Sequence, residues 1–331
     1  MNARLGRPPL LLESSDEVTQ STFDGGAVTL RKEKLWLDGL SFVRKYVRED
    51  APKVVLVHGF AQNRYTWHGS RRSISAWLAA EGFDVWNLEL RGHGRSRGGD
   101  GSVDFSTYVD DVARVAAALG EPAFWVGHSL GGAVIYAGAT RSPMRGVVGM
   151  GALYRFAQAN RALKLLCRLS RQVAGRNLLG ALNVRTRLAG KLLGRLYAVS
   201  DVAGYAFPIS GWAPGSIEED VLAERLEHGF DWTAANVWLD MARWGSGARF
   251  EWADDWQKTD VPLLVMAGDL DHLMLPPDAR AAFDESGSRD RTWALFDDYA
   301  TGLHWGHLDL ITGKDAPRHT WRVLRDWLSA R

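Results

Sequence analysis

The stretch Ala123-Phe124-Trp125-Val126-Gly127-His128-Ser129-Leu130-Gly131-Gly132-Ala133 decides the fold. An apolar run leads straight into Gly-x-Ser-x-Gly, and small residues suited to a helix start follow it. A strand-to-helix turn of this kind strains the serine backbone, lifts its Oγ above the sheet and aims free helix N–H groups at developing negative charge. Glycine at 127 and 131 removes side chains that would collide there. The pattern occurs a second time at Gly94-Arg95-Ser96-Arg97-Gly98. That copy sits in a polar run continuing Gly99-Asp100-Gly101, with no apolar strand before it and no helix start after it. Ser129, not Ser96, is therefore the candidate nucleophile.

Around this turn, strand and helix signals alternate. Lys53-Val54-Val55-Leu56-Val57 reads as a parallel strand buried on both faces, and Ile74 to Ala80, closed by Gly82, as a helix. Phe83 to Leu90 is expected to be a strand, Thr107 to Leu119 a helix with Tyr108, Val112, Val115 and Leu119 on one face, and Arg145 to Leu153 a strand. Much later, Pro262 to Gly268 and Arg291 to Phe296 repeat the strand signal, with helices at Asp278 to Phe283 and Pro317 to Leu328. The alternation predicts an α/β fold: a mainly parallel sheet with helices on both faces, interrupted by a helical insertion. Residues 1–18 are expected to form a loose N-terminal arm, 19–154 and 233–331 the core, and 155–232 a helical cap.

The chain has 331 residues and a net charge of +1, which gives no overall pull toward nucleic acid, and no basic stretch is interleaved with stacking aromatics. No nucleic-acid partner is expected. The single cysteine, Cys167, excludes an internal disulfide. With no signal-peptide core and no apolar run of about 18 residues, a cytoplasmic location is expected. The 15 tryptophans suit core and pocket walls.

A serine hydroxyl needs a base within reach and an acid to orient that base. Acid candidates Asp269 and Asp271 follow the Pro262 strand, and histidine candidates His304 and His307 lie in Gly302-Leu303-His304-Trp305-Gly306-His307-Leu308-Asp309. Upstream, His58-Gly59-Phe60 ends the Val54 strand, where a main-chain N–H can face the nucleophile. The oxyanion hole is assigned to the N–H groups of Phe60 and Leu130. His304, His307 and Asp309 have the residue types of a metal cluster, but no further ligand accompanies them. No metal and no cofactor are expected.

With His58-Gly59, Arg91-Gly92-His93-Gly94-Arg95-Ser96, the Gly127-His128-Ser129-Leu130-Gly131-Gly132 turn and the late acid and histidine in order, the chain resembles the α/β-hydrolase superfamily from about residue 24 onward. Asp84-Val85-Trp86 and His307-Leu308-Asp309-Leu310-Ile311 more loosely resemble its acid-lipase branch. The resemblance implies an α/β-hydrolase fold with Ser129 as nucleophile, Asp271 as acid and His307 as base, leaving Asp269 and His304 as alternates. Its Arg91 and His93 are expected to brace their loop, and His128 to sit beside the nucleophile without acting as base.

The implied activity is serine hydrolysis of carboxylic esters with an apolar acyl chain through an acyl-enzyme, as in esterases and lipases. An acyltransferase using the same intermediate and a non-catalytic ligand receptor are the alternatives. The insertion adds a second expectation. From Arg155 to Ser200 there are ten Arg or Lys and no acidic residue, with Arg161, Lys164, Arg168 and Arg171 on one helical face, Ala162, Leu166, Leu169 and Val173 on another, and Arg187, Lys191 and Arg195 repeating the basic pattern. Such helices suit an anionic lipid surface. The rival is internal pairing with the stretch Asp201 to Asp255, which holds eleven acidic and three basic residues.

Overall fold

The computed structural model describes residues 7–96, 103–174, 183–185 and 211–331. Its centre is a nine-stranded sheet in the order β1-β2-β3-β5-β4-β6-β7-β10-β11. The strands are β1 (Leu10–Ser21), β2 (Ala27–Leu37), β3 (Leu40–Tyr46), β4 (Lys53–Val57), β5 (Asp84–Glu89), β6 (Phe124–His128), β7 (Gly146–Met150), β10 (Leu263–Gly268) and β11 (Arg291–Phe296), with a separate pair β8 (Asn183–Arg185) and β9 (Trp232–Ala234). From β5 to β11 neighbours run parallel. Val54 to Val57 and Phe124 to Val126 are fully buried, as strands covered on both faces must be.

Helices α1 (Ile74–Ala80), α2 (Phe105–Leu119) and α3 (Leu130–Ala139) appear where the apolar spacing predicts them. Asp104 and Thr107 form a capping box at the start of α2, and left-handed Gly120 ends it. Helix α3 buries every residue from Leu130 to Gly138, and its apolar side chains from Leu130 to Ala137 all join one core cluster, on the same side of the sheet as Tyr108 and Val112 of α2. The late helices are Pro276–Asp284 and Thr320–Ser329, the second preceded by a short turn at Ala316–Arg318 instead of starting at Pro317.

One expectation is corrected, the loose arm, since residues from Leu10 onward form β1, paired with β2 from Leu10↔Trp36 to Ser21↔Ala27. The exposed, polar face of β1 hides the strand signal, but the ladder hydrogen bonds need only backbone. The antiparallel run β1–β2–β3 also has a local cue at Asp38-Gly39, whose positive φ angles (46° and 94°) suit a two-residue hairpin turn.

The insertion contains helix α4 (Arg161–Ala174). Among its described side chains Leu163 and Cys167 are buried, in the same core cluster as Val237, Met241 and Trp244 of the helix Ala235–Gly245. Leu166 and Leu169 of the face read from the sequence are exposed, as is Leu165. Arg187, Lys191 and Arg195 lie outside the described residues. No helix among the described residues is long and apolar enough to cross a membrane.

Candidate active site

Ser129 has φ 56° and ψ −122° between β6 and α3, a strained conformation for a residue with a Cβ. Glycine is required on either side because the chain doubles back on itself. A Cβ on Gly131 would run into the Val57 and His58 carbonyls, and one on Gly127 into the Gly131 backbone. The Ser129 N–H donates to the Met150 carbonyl (3.2 Å), and its own carbonyl accepts from Leu153 N–H (3.0 Å). These bonds fix the turn against the end of β7.

The acid and histidine loops arrive as two parallel pairs. His307 Nδ1 lies 2.7 Å from Asp271 Oδ2, and both side chains are buried. Asp271 Oδ1 accepts from the N–H groups of Leu273 (3.0 Å) and Met274 (2.8 Å), so the carboxylate is oriented from both sides. With Nδ1 donating to a carboxylate, Nε2 of His307 is left as the acceptor nitrogen. The second pair, His304 Nδ1 to Asp269 Oδ2 at 2.5 Å, stands outward with the His304 side chain 52% exposed. The bond to Asp269 raises the His304 pKa.

Gly151 connects the buried pair to the turn. A Cβ there would lie 2.9 Å from Asp271 Oδ2 and 3.0 Å from His307 Nδ1, one residue beyond the Met150 carbonyl that holds Ser129. The rings of His128 and His307 are 4.4 Å apart, and His128 Nε2 is 3.1 Å from the His307 carbonyl. Burial, then the neighbouring His307, holds the His128 pKa well below the ordinary histidine value. A neutral His128 donates that hydrogen bond and anchors the His307 backbone. Asp271 and His307 thus lie against Gly151, the residue after the Met150 whose carbonyl holds Ser129, while Asp269 and His304 pair in a more exposed position.

On the other side, a Cβ on Gly59 would sit 3.0 Å from Ser129 Cβ, so the residue before Phe60 passes directly beside the serine. Leu130 is the first residue of α3, where a helix N–H lacks an intrahelical partner. His58 fastens this corner. Its Nε2 accepts from Leu90 N–H (3.0 Å), its Nδ1 donates to the Gly59 carbonyl (2.9 Å), and burial keeps it neutral with a strongly lowered pKa.

The remaining motif residues are braces. Arg91 binds Asp111 through two hydrogen bonds (2.9 and 2.6 Å). Ser96 is fully buried, accepts from Ser41 N–H (2.7 Å) and donates to the Glu89 carbonyl (2.5 Å), which accounts for the second Gly-x-Ser-x-Gly. Asp309 accepts from Gly306 N–H (2.6 Å), Ala213 N–H (2.8 Å) and Ser216 Oγ (2.7 Å), and burial pushes its pKa up to about 6. It shapes the histidine loop.

Arg225 gives no local signal in the sequence. It is buried, donates to Gln62 Oε1 (2.9 Å) and Thr66 Oγ1 (3.1 Å), and burial lowers its pKa to about 9. Gln62 Oε1 in turn lies beside Gly59. For a metal, the structure gathers Asp269, Asp298 and His304, whose ligand atoms fall within 4.8 Å of one another at the exposed rim. A cleft of ≈ 760 Å³ flanks this rim between Pro214, Leu303, His304 and Lys314, and Ser129 is not among its walls.

The parallel sheet, the strained serine turn and the buried His–Asp pair define an α/β-hydrolase arrangement. The chain belongs to the alpha/beta hydrolase fold family, whose sequence model matches residues 52–309. It is 38% identical over 107 residues to epoxide hydrolase B of Mycobacterium tuberculosis, covering 31% of this chain and 29% of the relative. It is 32% identical over 96 residues to a monoacylglycerol lipase of Mycolicibacterium smegmatis, covering 27% and 33%. The matches thus span about a third of these relatives' length. Among solved structures, the monoacylglycerol lipase of Paleococcus ferrophilus superposes with a TM-score of 0.62 at 18% identity, covering 96% of this chain and 99% of that one.

Proposed function

We propose that the protein is a serine hydrolase of carboxylic esters with an apolar acyl chain. The observation carrying this reading is the buried Asp271–His307 bond beside a serine held at φ 56°. His307 Nε2 takes the Ser129 proton as Oγ attacks the ester carbonyl, and Asp271 stabilises the imidazolium. The N–H groups of Phe60 and Leu130 hold the oxyanion, each donor worth about 3 kcal/mol in the transition state. The imidazolium then protonates the departing alcohol. Water, deprotonated by His307, releases the acid from the acyl-enzyme.

Serine at the elbow, rather than aspartate, favours ester over epoxide chemistry despite the partial match to an epoxide hydrolase. Apolar acyl preference is supported by Phe60 and Trp238, partly buried rings 5.9 Å apart beside the proposed oxyanion corner. A fluorophosphonate probe and a series of p-nitrophenyl esters of increasing chain length test the proposal together. Labelling of wild type but not Ser129→Ala, with turnover rising from acetyl to longer chains, is expected. Equal labelling of both sinks the nucleophile assignment. Acyl transfer to an added alcohol would reassign the enzyme as a transferase.

The same proposal extends to docking on anionic lipid. Helix α4 presents exposed Arg161, Arg168 and Arg171 beside Leu165, Leu166 and Leu169, which are 56%, 42% and 50% exposed. Several carboxylates of the acidic stretch are engaged elsewhere, Glu218 with Arg72, Asp220 with Arg71 and Asp254 with Arg249. Cosedimentation with anionic but not neutral liposomes is expected, and indifference to lipid charge removes the idea.

A further inference from the structure

We propose that the face of β2, β3 and β5 bearing Lys32 and Lys45 carries a phosphate-binding pocket, separate from the Ser129 site, for inorganic phosphate or a small phosphate monoester. Strand alternation assembles it. Lys32 lies opposite Lys45 and Lys34 opposite Val43 on the β2–β3 ladder, and Val43 lies opposite Asn87 on β5, so all five side chains share one face. Arg64 and His68 close over it from the segment after β4, and Arg95 from the loop after β5.

The resulting cavity is ≈ 40 Å³. A single water needs about 10–15 Å³ on that scale, so the space suits a small oxyanion, not a nucleotide base or an acyl chain. Its walls include five basic side chains, Lys32, Lys34, Lys45, Arg64 and Arg95. Two carboxylates answer them. Glu13 pairs with Lys34 (2.6 Å), and Glu89 pairs with Arg64 (2.9 Å) while its other oxygen accepts the Arg95 N–H (2.9 Å). Among the described residues no carboxylate lies within ion-pair distance of Lys32, Lys45 or the Arg95 guanidinium.

Lys45 is 1% exposed, and its Nζ donates to Ser75 Oγ at 2.9 Å. A basic nitrogen so enclosed lacks the counter-charge that a buried ion needs, and an anion in the cavity would supply it. Asn87 contributes a wall residue whose Oδ1 is buried without a donor, an acceptor suited to the P–O–H of hydrogenphosphate or of a singly protonated monoester and of no use to sulfate. Protonation agrees with this geometry. Burial, then Lys32 and Arg64, depresses Lys45, and burial, then Lys45, Lys32 and Arg64, depresses His68 to about 2. A bound phosphate anion relieves that repulsion and raises both values, so binding takes up protons and tightens as pH falls.

The test uses the full chain in calorimetric titration and thermal melts with sodium phosphate, glycerol 3-phosphate, sodium sulfate and sodium chloride at equal ionic strength. Saturable binding of phosphate or glycerol phosphate is expected, stronger at pH 6.5 than at pH 8.5, retained in Ser129→Ala and weakened at least tenfold in Lys32→Gln/Arg95→Gln. Response to inorganic phosphate alone identifies the free ion as ligand, and response to glycerol phosphate alone a phosphorylated metabolite. The proposal is overturned if neither shifts the melt beyond chloride, if sulfate binds equally well, or if the double variant, folded by circular dichroism, binds like the parent. The salt comparison on the parent stands independently of any variant.

Discussion

Asp271 grips His307 through one carboxylate oxygen at 2.7 Å, while the other is held by the Leu273 and Met274 amides, so the imidazole has one allowed orientation. Asp271→Asn presents an amide that can donate to Nδ1 and so favours the wrong tautomer. Ester turnover is expected to fall about 10⁴-fold with little change in fold. Asp269→Asn is expected to stay within about twofold of wild type, because its histidine partner stands at the rim. Steady-state kinetics on one soluble ester decides between the two acids, and the reverse ranking would reassign the triad.

Strain at Ser129 sets a stability cost that activity requires. Ser129→Ala keeps the Cβ and hence the strain, whereas Ser129→Gly removes it, a gain of about 1–2 kcal/mol. Glycine gives back about 0.4–1 kcal/mol through the freer unfolded chain. Urea denaturation is expected to rank Ser129→Gly about 1 kcal/mol above Ser129→Ala, with both inactive.

Close backbone approach makes Gly131, like Gly127, hard to replace. An added methyl meets the carbonyls of Val57 and His58, neither of which can swing aside as a side chain could. Gly131→Ala is expected to lose about 3 kcal/mol, read as a lower urea midpoint.

Lys45 gives a pH prediction whose sign follows from proton counting. Its folded pKa lies well below the ordinary 10.5, so as pH falls through 10.5 the unfolded chain gains a proton that the folded chain does not. Stability therefore declines toward lower pH until the folded Lys45 itself protonates. Lys45→Met is expected to be more stable by on the order of 1 kcal/mol at pH 7 in phosphate-free buffer and to flatten the slope between pH 7 and 10.5. Denaturation at several pH values checks both.

The parts of the fold most legible in the sequence are those where backbone crowding demands particular residues. Gly127, Gly131 and the apolar strand before them leave few alternatives, and the central parallel strands are continuous apolar runs. β1 is harder to read because Glu13, Asp16 and Glu17 give it a polar composition, and its pairing rests on backbone bonds to β2. The inward face of α4 is equally hidden, because exposed leucines at 165, 166 and 169 outnumber the inward Leu163 and Cys167 and apolar count alone does not tell the two sides apart. Arg225 is silent for a different reason, since its partners Gln62 and Thr66 are remote in the chain.

The outer Asp269–His304 bond joins the same two loops as the inner pair, two residues from the acid and three from the histidine. It works as a mechanical clasp, and Trp305 N–H on Asp269 Oδ1 at 2.8 Å doubles it. Because His304 titrates above its ordinary value, the clasp is tightest when the ring is charged and slackens as pH rises through that raised value. Loop registration then loosens from the rim inward once pH passes that raised value.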